Sequence, residues 1–211
     1  DFGEVHERFD LDKKFNNLHV VSVVQDKGGD FWIASQGLGL IYFTPSNNNC
    51  INYRKKTNDV NSLPSDVLSD VMVDRDQNVW VSTVNKGIVK MRKQSVDFDN
   101  YLDGISSTGV ALIPGKETST LFVATNGAGL WRSLFDVNDL SHLNFKPHAF
   151  QHAPGFENTL EVAVGKENLW LGSLNAGIVG LPIHQDGVVQ NTPGYSYRND
   201  EHNANSLSHN F

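Results

Sequence analysis

The chain of 211 residues carries 17 basic against 24 acidic side chains, a formal net charge of −7, with 39% hydrophobic and 10% aromatic residues. That composition excludes a disordered chain, and the lack of a basic surplus argues against nucleic acid or an anionic membrane as partner. No run of eighteen apolar residues is present to span a bilayer as a helix, and the single cysteine, Cys50, forms no intrachain disulfide.

Taken in chain order, the sequence repeats one pattern four times. In residues 17–60 an apolar run, Val20 to Val24, precedes a polar turn at Asp26-Lys27-Gly28-Gly29-Asp30. The phrase Trp32-Ile33-Ala34-Ser35 follows, then Gly39, a third apolar segment Leu40 to Phe43, and a closing Tyr53 beyond the Asn47-Asn48-Asn49 turn, in which Cys50 is expected. Residues 61–105 repeat this with Val67 to Val73, the turn Asp74 to Asn78, Trp80-Val81-Ser82-Thr83, Gly87, Ile88 to Met91 and Tyr101. Residues 106–155 carry Val110 to Ile113, Pro114 to Ser119, Phe122-Val123-Ala124-Thr125, Gly129, Leu130 to Arg132 and Phe150. Residues 156–199 carry Leu160 to Val164, Gly165 to Asn168, Trp170-Leu171-Gly172-Ser173, Gly177, Ile178 to Leu181 and Tyr197.

The leading aromatics are 48, 42 and 48 residues apart, and each glycine stands seven residues after its aromatic. Periods of this length mean a repeat architecture. β-branched and aromatic residues between Gly, Asp and Asn turns predict four short strands per unit, and no window has a sustained helical period. Such units are the blades of an all-β propeller of four-stranded antiparallel blades. The repeated aromatic is expected to fill the wedge between adjacent blades. Ala34, Ser82, Ala124 and Gly172 leave room there, and the glycine supplies a positive φ or a close approach. Phe9 sits where an outer-strand aromatic belongs, so residues 1–16 read as the tail of a preceding blade. Asn205-Ser206-Leu207-Ser208 repeats Asn61-Ser62-Leu63-Pro64-Ser65, so residues 200–211 read as the start of a further blade that stops at Phe211. The expectation is one incomplete propeller domain, part of a larger propeller of the seven-bladed type. A closed four-bladed ring is the alternative.

The phrase from Val20 to Leu40, with Asp26, Gly29-Asp30-Phe31-Trp32-Ile33-Ala34-Ser35 and Gly39-Leu40, resembles the two-component regulator propeller repeat. So do Asp74 to Ile88 and the link Asn61 to Val67; the third blade departs, with Phe122 for Trp and Pro114 to Ser119 for the Asp-x-x-Gly turn. These repeats build the periplasmic sensor regions of Bacteroides-type hybrid two-component systems. The resemblance implies an extracytoplasmic sensor of two propellers and a β-sandwich, followed by a transmembrane helix, a histidine kinase and response-regulator parts. The implied signal is an oligosaccharide released from a glycan, and the implied location is the periplasm, with the membrane reached only through absent segments. Further implied partners are neighbouring blades, a second propeller of the same chain and a homodimer.

No constellation of residues supports catalysis, and neither a cofactor nor a metal is expected. Asp74-Arg75-Asp76-Gln77-Asn78 begins like a calcium loop but has Val79 and Asn85 where Gly and a bidentate Glu are required, so it reads as a turn. Gly115-Lys116-Glu117-Thr118 lacks phosphate-loop spacing. His148 and His152, four apart in a strand, lie about 13 Å from each other, too far to share an ion. The basic pairs Lys55-Lys56 and Arg92-Lys93 read as solvated strand ends. The candidate ligand-binding residues are Gln36, Asn85, Lys86, Asn126 and Asn175, in the loops between second and third strands. Those loops share a face with the links into the next blade, and amides offer a sugar hydroxyl both donor and acceptor. The reading is therefore a non-enzymatic ligand-sensing segment that recognises a glycan-derived oligosaccharide. A propeller glycosidase or lyase and a protein-binding scaffold are the alternatives.

Overall fold

The computed structural model describes residues 11–91, 98–139, 143–149, 155–184 and 186–208. Phe9, Arg92-Lys93, Phe150, His152 and Phe211 lie outside the described residues.

Among the described residues sixteen strands form four antiparallel sheets, each a meander in chain order. The first holds β1 (Val20–Gln25), β2 (Phe31–Ser35), β3 (Leu40–Thr44) and β4 (Asn49–Tyr53). The second holds β5 (Leu68–Val73), β6 (Val79–Thr83), β7 (Ile88–Met91) and β8 (Phe98–Tyr101). The third holds β9 (Ser107–Ile113), β10 (Thr118–Thr125), β11 (Gly129–Asp136) and β12 (Lys146–Pro147). The fourth holds β13 (Thr159–Val164), β14 (Asn168–Ser173), β15 (Gly177–Pro182) and β16 (Tyr195–Tyr197). Two short 3-10 turns, Leu11–Lys13 and Pro45–Asn47, are the only helical segments among the described residues. The described residues form a run of four propeller blades.

Burial explains the repeat. Between the first two sheets Trp32 packs with Leu63, Val71, Val81 and Val89. Between the second and third, Trp80 packs with Val110, Leu121 and Val123. Phe122 does the same against Val162, Leu169 and Leu171 of the fourth sheet. The position requires a large apolar side chain because two diverging sheets must both touch it. Trp170 differs: it is half-buried and lies against Tyr195 and Tyr197 of its own sheet, both about half exposed. The far face of the first sheet, with Ile33, Ile41 and Phe43, is covered by Leu11, Phe15 and Leu18.

One expectation needs correction, that for Cys50, and the apolar inner runs differ in exposure. The inner strands are not uniformly buried: Val23 is 52% exposed and β13 shows Leu160 and Val164 to solvent. These strands belong to the end sheets, which have a neighbouring sheet on one side only among the described residues. Cys50 lies not in the turn but in β4, opposite Phe43, with the left-handed Asn48 before it making the turn.

Each innermost strand also carries a bulge, at Val21, Ser69, Thr108 and Leu160. A bulge re-aims a side chain. Here Ser69 Oγ donates to the Ser107 carbonyl at 2.6 Å and Thr108 Oγ1 to the Thr159 carbonyl at 2.7 Å, each joining one blade to the next near the axis.

Candidate functional site

The loops between second and third strands are held by a repeated device. Ser35 Oγ, Thr83 Oγ1 and Thr125 Oγ1 donate to the carbonyls of Gly39, Gly87 and Gly129 at 2.8, 2.8 and 2.6 Å. The same hydroxyls accept the N–H groups of Leu38, Lys86 and Ala128. Gly39 and Gly87 have φ near +75° and +68°, and a Cβ on either would collide with the carbonyl oxygen of Tyr53 or Tyr101. Glycine is thus required by backbone conformation and by space together. In the fourth blade Ser173 Oγ turns instead to the Gly155 carbonyl at 2.6 Å.

Main-chain bonds then stitch each loop to the links between blades. Gln36 and Val84 N–H groups donate to His19 and Val67, and Gly37 and Gly39 to Asp66. Gly87 donates to Ile105 and Asn126 to Ser106; Gly127 and Gly129 donate to Glu157, and Leu174 to Asn158. Consecutive loops therefore meet the same or adjacent link residues, which sets Gln36, Asn85, Lys86, Asn126 and Asn175 along one continuous arc at one end of the blades. Gln36, Asn85, Asn126 and Asn175 are exposed, and among the described residues their carboxamides have no hydrogen-bonding partner. Lys86 differs, its ammonium lying 3.3 Å from the Asp103 carboxylate.

Two residues at this end were not singled out in the sequence. Arg54 grips Asp66 Oδ2 through Nε (3.1 Å) and Nη2 (2.8 Å), and Nη2 also donates to the Gly37 carbonyl at 2.9 Å. Asp66 Oδ1 accepts the Lys55 N–H at 2.8 Å. Together they position the first loop. The signal was there, since Asp66 sits in the link next to the glycine-bearing loop, but nothing local pairs it with Arg54.

The inner wall holds a second unforeseen set. Ser22, Asp70, Gly109 and Glu161 occupy equivalent places, one residue past each bulge. Asp70 spans three blades: Oδ1 accepts from Ser22 Oγ at 2.7 Å and Oδ2 from the Val110 N–H at 3.1 Å. Desolvation raises its pKa, opposed by the bonds from Ser22, Val110 and Val71. Glu161, although exposed overall, aims Oε1 at Gly109, where an added Cβ would come within 2.7 Å, and accepts the Val162 N–H at 3.0 Å. Desolvation also raises its pKa, with a smaller push from the Asp70 charge. Aligning the four strand phrases would have exposed these polar intrusions.

At the opposite end a cavity of about 1090 Å³ is framed by the turns between first and second strands, with Arg75, Lys116, Glu117, Lys166, Glu167 and His184 on its wall. The Asp74 turn at that end is self-contained. Its carboxylate accepts N–H groups from Asp76 and Asn78, the Asn78 amide, and Trp80 Nε1 at 3.0 Å. Those bonds make it the rigid turn read from the sequence.

No protein-family model matches the sequence, and no curated protein matches it. Solved structures do. The extracellular domain of the hybrid two component system BT4673 from B. thetaiotaomicron superposes with a TM-score of 0.67 at 17% identity, over 91% of this chain and 24% of that one. That of BT3049 from the same organism gives 0.63 at 20% identity, over 87% and 26%. Virginiamycin B lyase from Staphylococcus aureus gives 0.59 at 13% identity, over 82% and 54%. The chain thus spans about a quarter of the length of the two sensor domains. At such identities the likeness concerns the fold: this is a β-propeller architecture, and its repeats have structural counterparts in extracellular domains of hybrid two component systems.

Proposed function

We propose that this chain is a ligand-sensing propeller segment of an extracytoplasmic two-component sensor, and that it recognises a glycan-derived oligosaccharide through the arc of Gln36, Asn85, Lys86, Asn126 and Asn175. The observation that carries this reading is the arc itself. Four exposed carboxamides with open hydrogen-bonding capacity stand on loops pinned by main-chain bonds on both sides. Sugar hydroxyls need paired donors and acceptors on a rigid frame, since ordering loops on binding would cost affinity. The likeness to sensor domains supports the sensing role. The periplasm is the matching location, and no helix among the described residues is long and apolar enough to cross a membrane.

A hydrolytic or lyase reading would turn to Asp70 and Glu161. Both Asp70 oxygens are engaged by Ser22, Val71 and Val110, however, and Glu161 Oε1 by Val162, which makes them joints in the blades rather than proton carriers.

The test is calorimetric titration of the chain with a panel of neutral oligosaccharides, repeated with Gln36, Asn85, Asn126 and Asn175 all changed to Ala. Binding that falls by about tenfold or more in the variant is expected, each lost hydrogen bond contributing roughly 0.5–1.5 kcal/mol. Equal affinity in both proteins, or cleavage of any member of the panel, overturns the reading.

A further inference from the structure

We propose that the groove between the outer parts of the third and fourth blades binds an oxyanion, a carboxylate or sulfate borne on a sugar-sized ring, between Arg132 and Lys146. Arg132 of β11 and Lys146 of β12 are direct cross-strand partners, so both cations project from the same face of the sheet. Like charges so placed repel. Among the described residues neither side chain has an ion pair, although the chain as a whole is acidic at −7. A side-by-side pair of unneutralised cations is the feature that an anion would relieve.

The surroundings fit such a ligand. The groove has a volume of about 430 Å³, and its described lining includes no acidic residue. Thr120 and Asn144 supply a hydroxyl and an amide beside the cations, while Phe122, Leu134 and Val188 form apolar walls. Leu134 and Val188 are 63% and 52% exposed, a large apolar surface to leave open beside charged groups. That size falls in the range of small-ligand pockets, and the mixture of apolar wall and few polar groups is the usual pocket chemistry. The neighbouring His148 adds no charge of its own near neutrality. It is buried edge-on to Phe122, with ring centres 5.8 Å apart, and burial together with Arg132 holds its pKa down to about 4. Arg132 presents a planar fork suited to two oxygens of one anion, and Lys146 a point charge. Both are exposed, so binding is weak and salt-sensitive.

The site is remote from the loop arc and does not rest on it. The experiment is titration of the chain at low ionic strength with glucuronate, glucose 6-sulfate, inorganic sulfate and glucose, compared with Arg132→Gln/Lys146→Gln. Expected are saturable binding of both charged sugars, affinity at least about tenfold lower in the double variant, and weakening by added salt. Tighter binding of the charged sugars than of inorganic sulfate assigns a role to the ring; equal binding assigns the site to the free anion and overturns the sugar half of the proposal. Failure of every anion to bind, or undiminished binding in the double variant, overturns the whole. Removing the repelling pair should leave the melting temperature unchanged or higher, which guards against loss by misfolding. The four-fold amide variant of the loop arc should bind these anions as the unmodified chain does, so the two sites fail or survive separately.

Discussion

Replacing Trp80 with alanine removes a side chain that is fully buried between the second and third sheets. Three further interactions go with it: the indole N–H to Asp74 at 3.0 Å, the Lys90 ammonium 5.6 Å from the ring centre, and Tyr101 at 6.5 Å. Truncations of this kind cost about 3–5 kcal/mol. At roughly 2–4 °C per kcal/mol for a domain of this size, the melting temperature should fall by about 6–20 °C. Trp170 occupies the same place in the repeat but is half-buried, with its ring against Tyr195 and Tyr197. Its replacement by alanine should cost roughly half as much or less, because only the area removed from water counts. Urea unfolding of both variants, followed by circular dichroism, measures the difference. Equal losses at the two positions would refute the argument that these aromatics act by filling the space between blades.

Gly87, seven residues after its aromatic, and Gly127, five residues after Phe122, give a second comparison. Gly87→Ala meets both a φ of +68° and the Tyr101 and Leu102 carbonyls, whereas Gly127→Ala meets a φ of +99° with open space around it. Thermal melts should therefore show a loss of roughly 1 kcal/mol for Gly127→Ala and a clearly larger one for Gly87→Ala. Glu161 provides a pH test. Its pKa is raised on folding, so the folded state binds its proton more firmly and stability falls as pH rises from the ordinary carboxylate value of about 4.3 through the raised folded value. Glu161→Gln should flatten the stability profile across that window, and an unchanged profile would contradict the assignment. Asp66→Ala should speed amide hydrogen exchange at Gly37 and Gly39, whose N–H groups bond its carbonyl, by releasing the link from Arg54 and Lys55. Exchange at Gly127 and Gly129 should not change.

The architecture was legible because burial repeats itself. Each interface between blades asks for the same large side chain, so Trp32, Trp80 and Phe122 recur on schedule, and the loop geometry asks for the same glycine. The Ser or Thr that ends each aromatic phrase was visible as a repeat, but its task of holding the Gly carbonyl appears only in three dimensions. The bulges stayed hidden because one extra residue shifts the alternation without altering composition. Asp70 looked like an interruption in an apolar run, since its partners Ser22 and Val110 come from other blades. Arg132 and Lys146 lie fourteen positions apart, and only the pairing of β11 with β12 sets them side by side. The third blade's outer strand shrinks to Lys146–Pro147, as a proline without an N–H suits an edge. Even the link after the fourth blade keeps the local rule: Asp200 N–H to Ser206 Oγ, at 2.9 Å, repeats Lys56 N–H to Ser62 Oγ, at 3.0 Å.

Ligand recognition is proposed to belong to the loop arc. Nuclear magnetic resonance of the side-chain amides, recorded while a binding oligosaccharide is added, tests it most directly. The resonances of Gln36, Asn85, Asn126 and Asn175 should shift together along one saturation curve, with the sugar recovered intact. Shifts confined to the turns at the opposite end, around Arg75, Lys116 and Lys166, with those four amides unmoved, would contradict it.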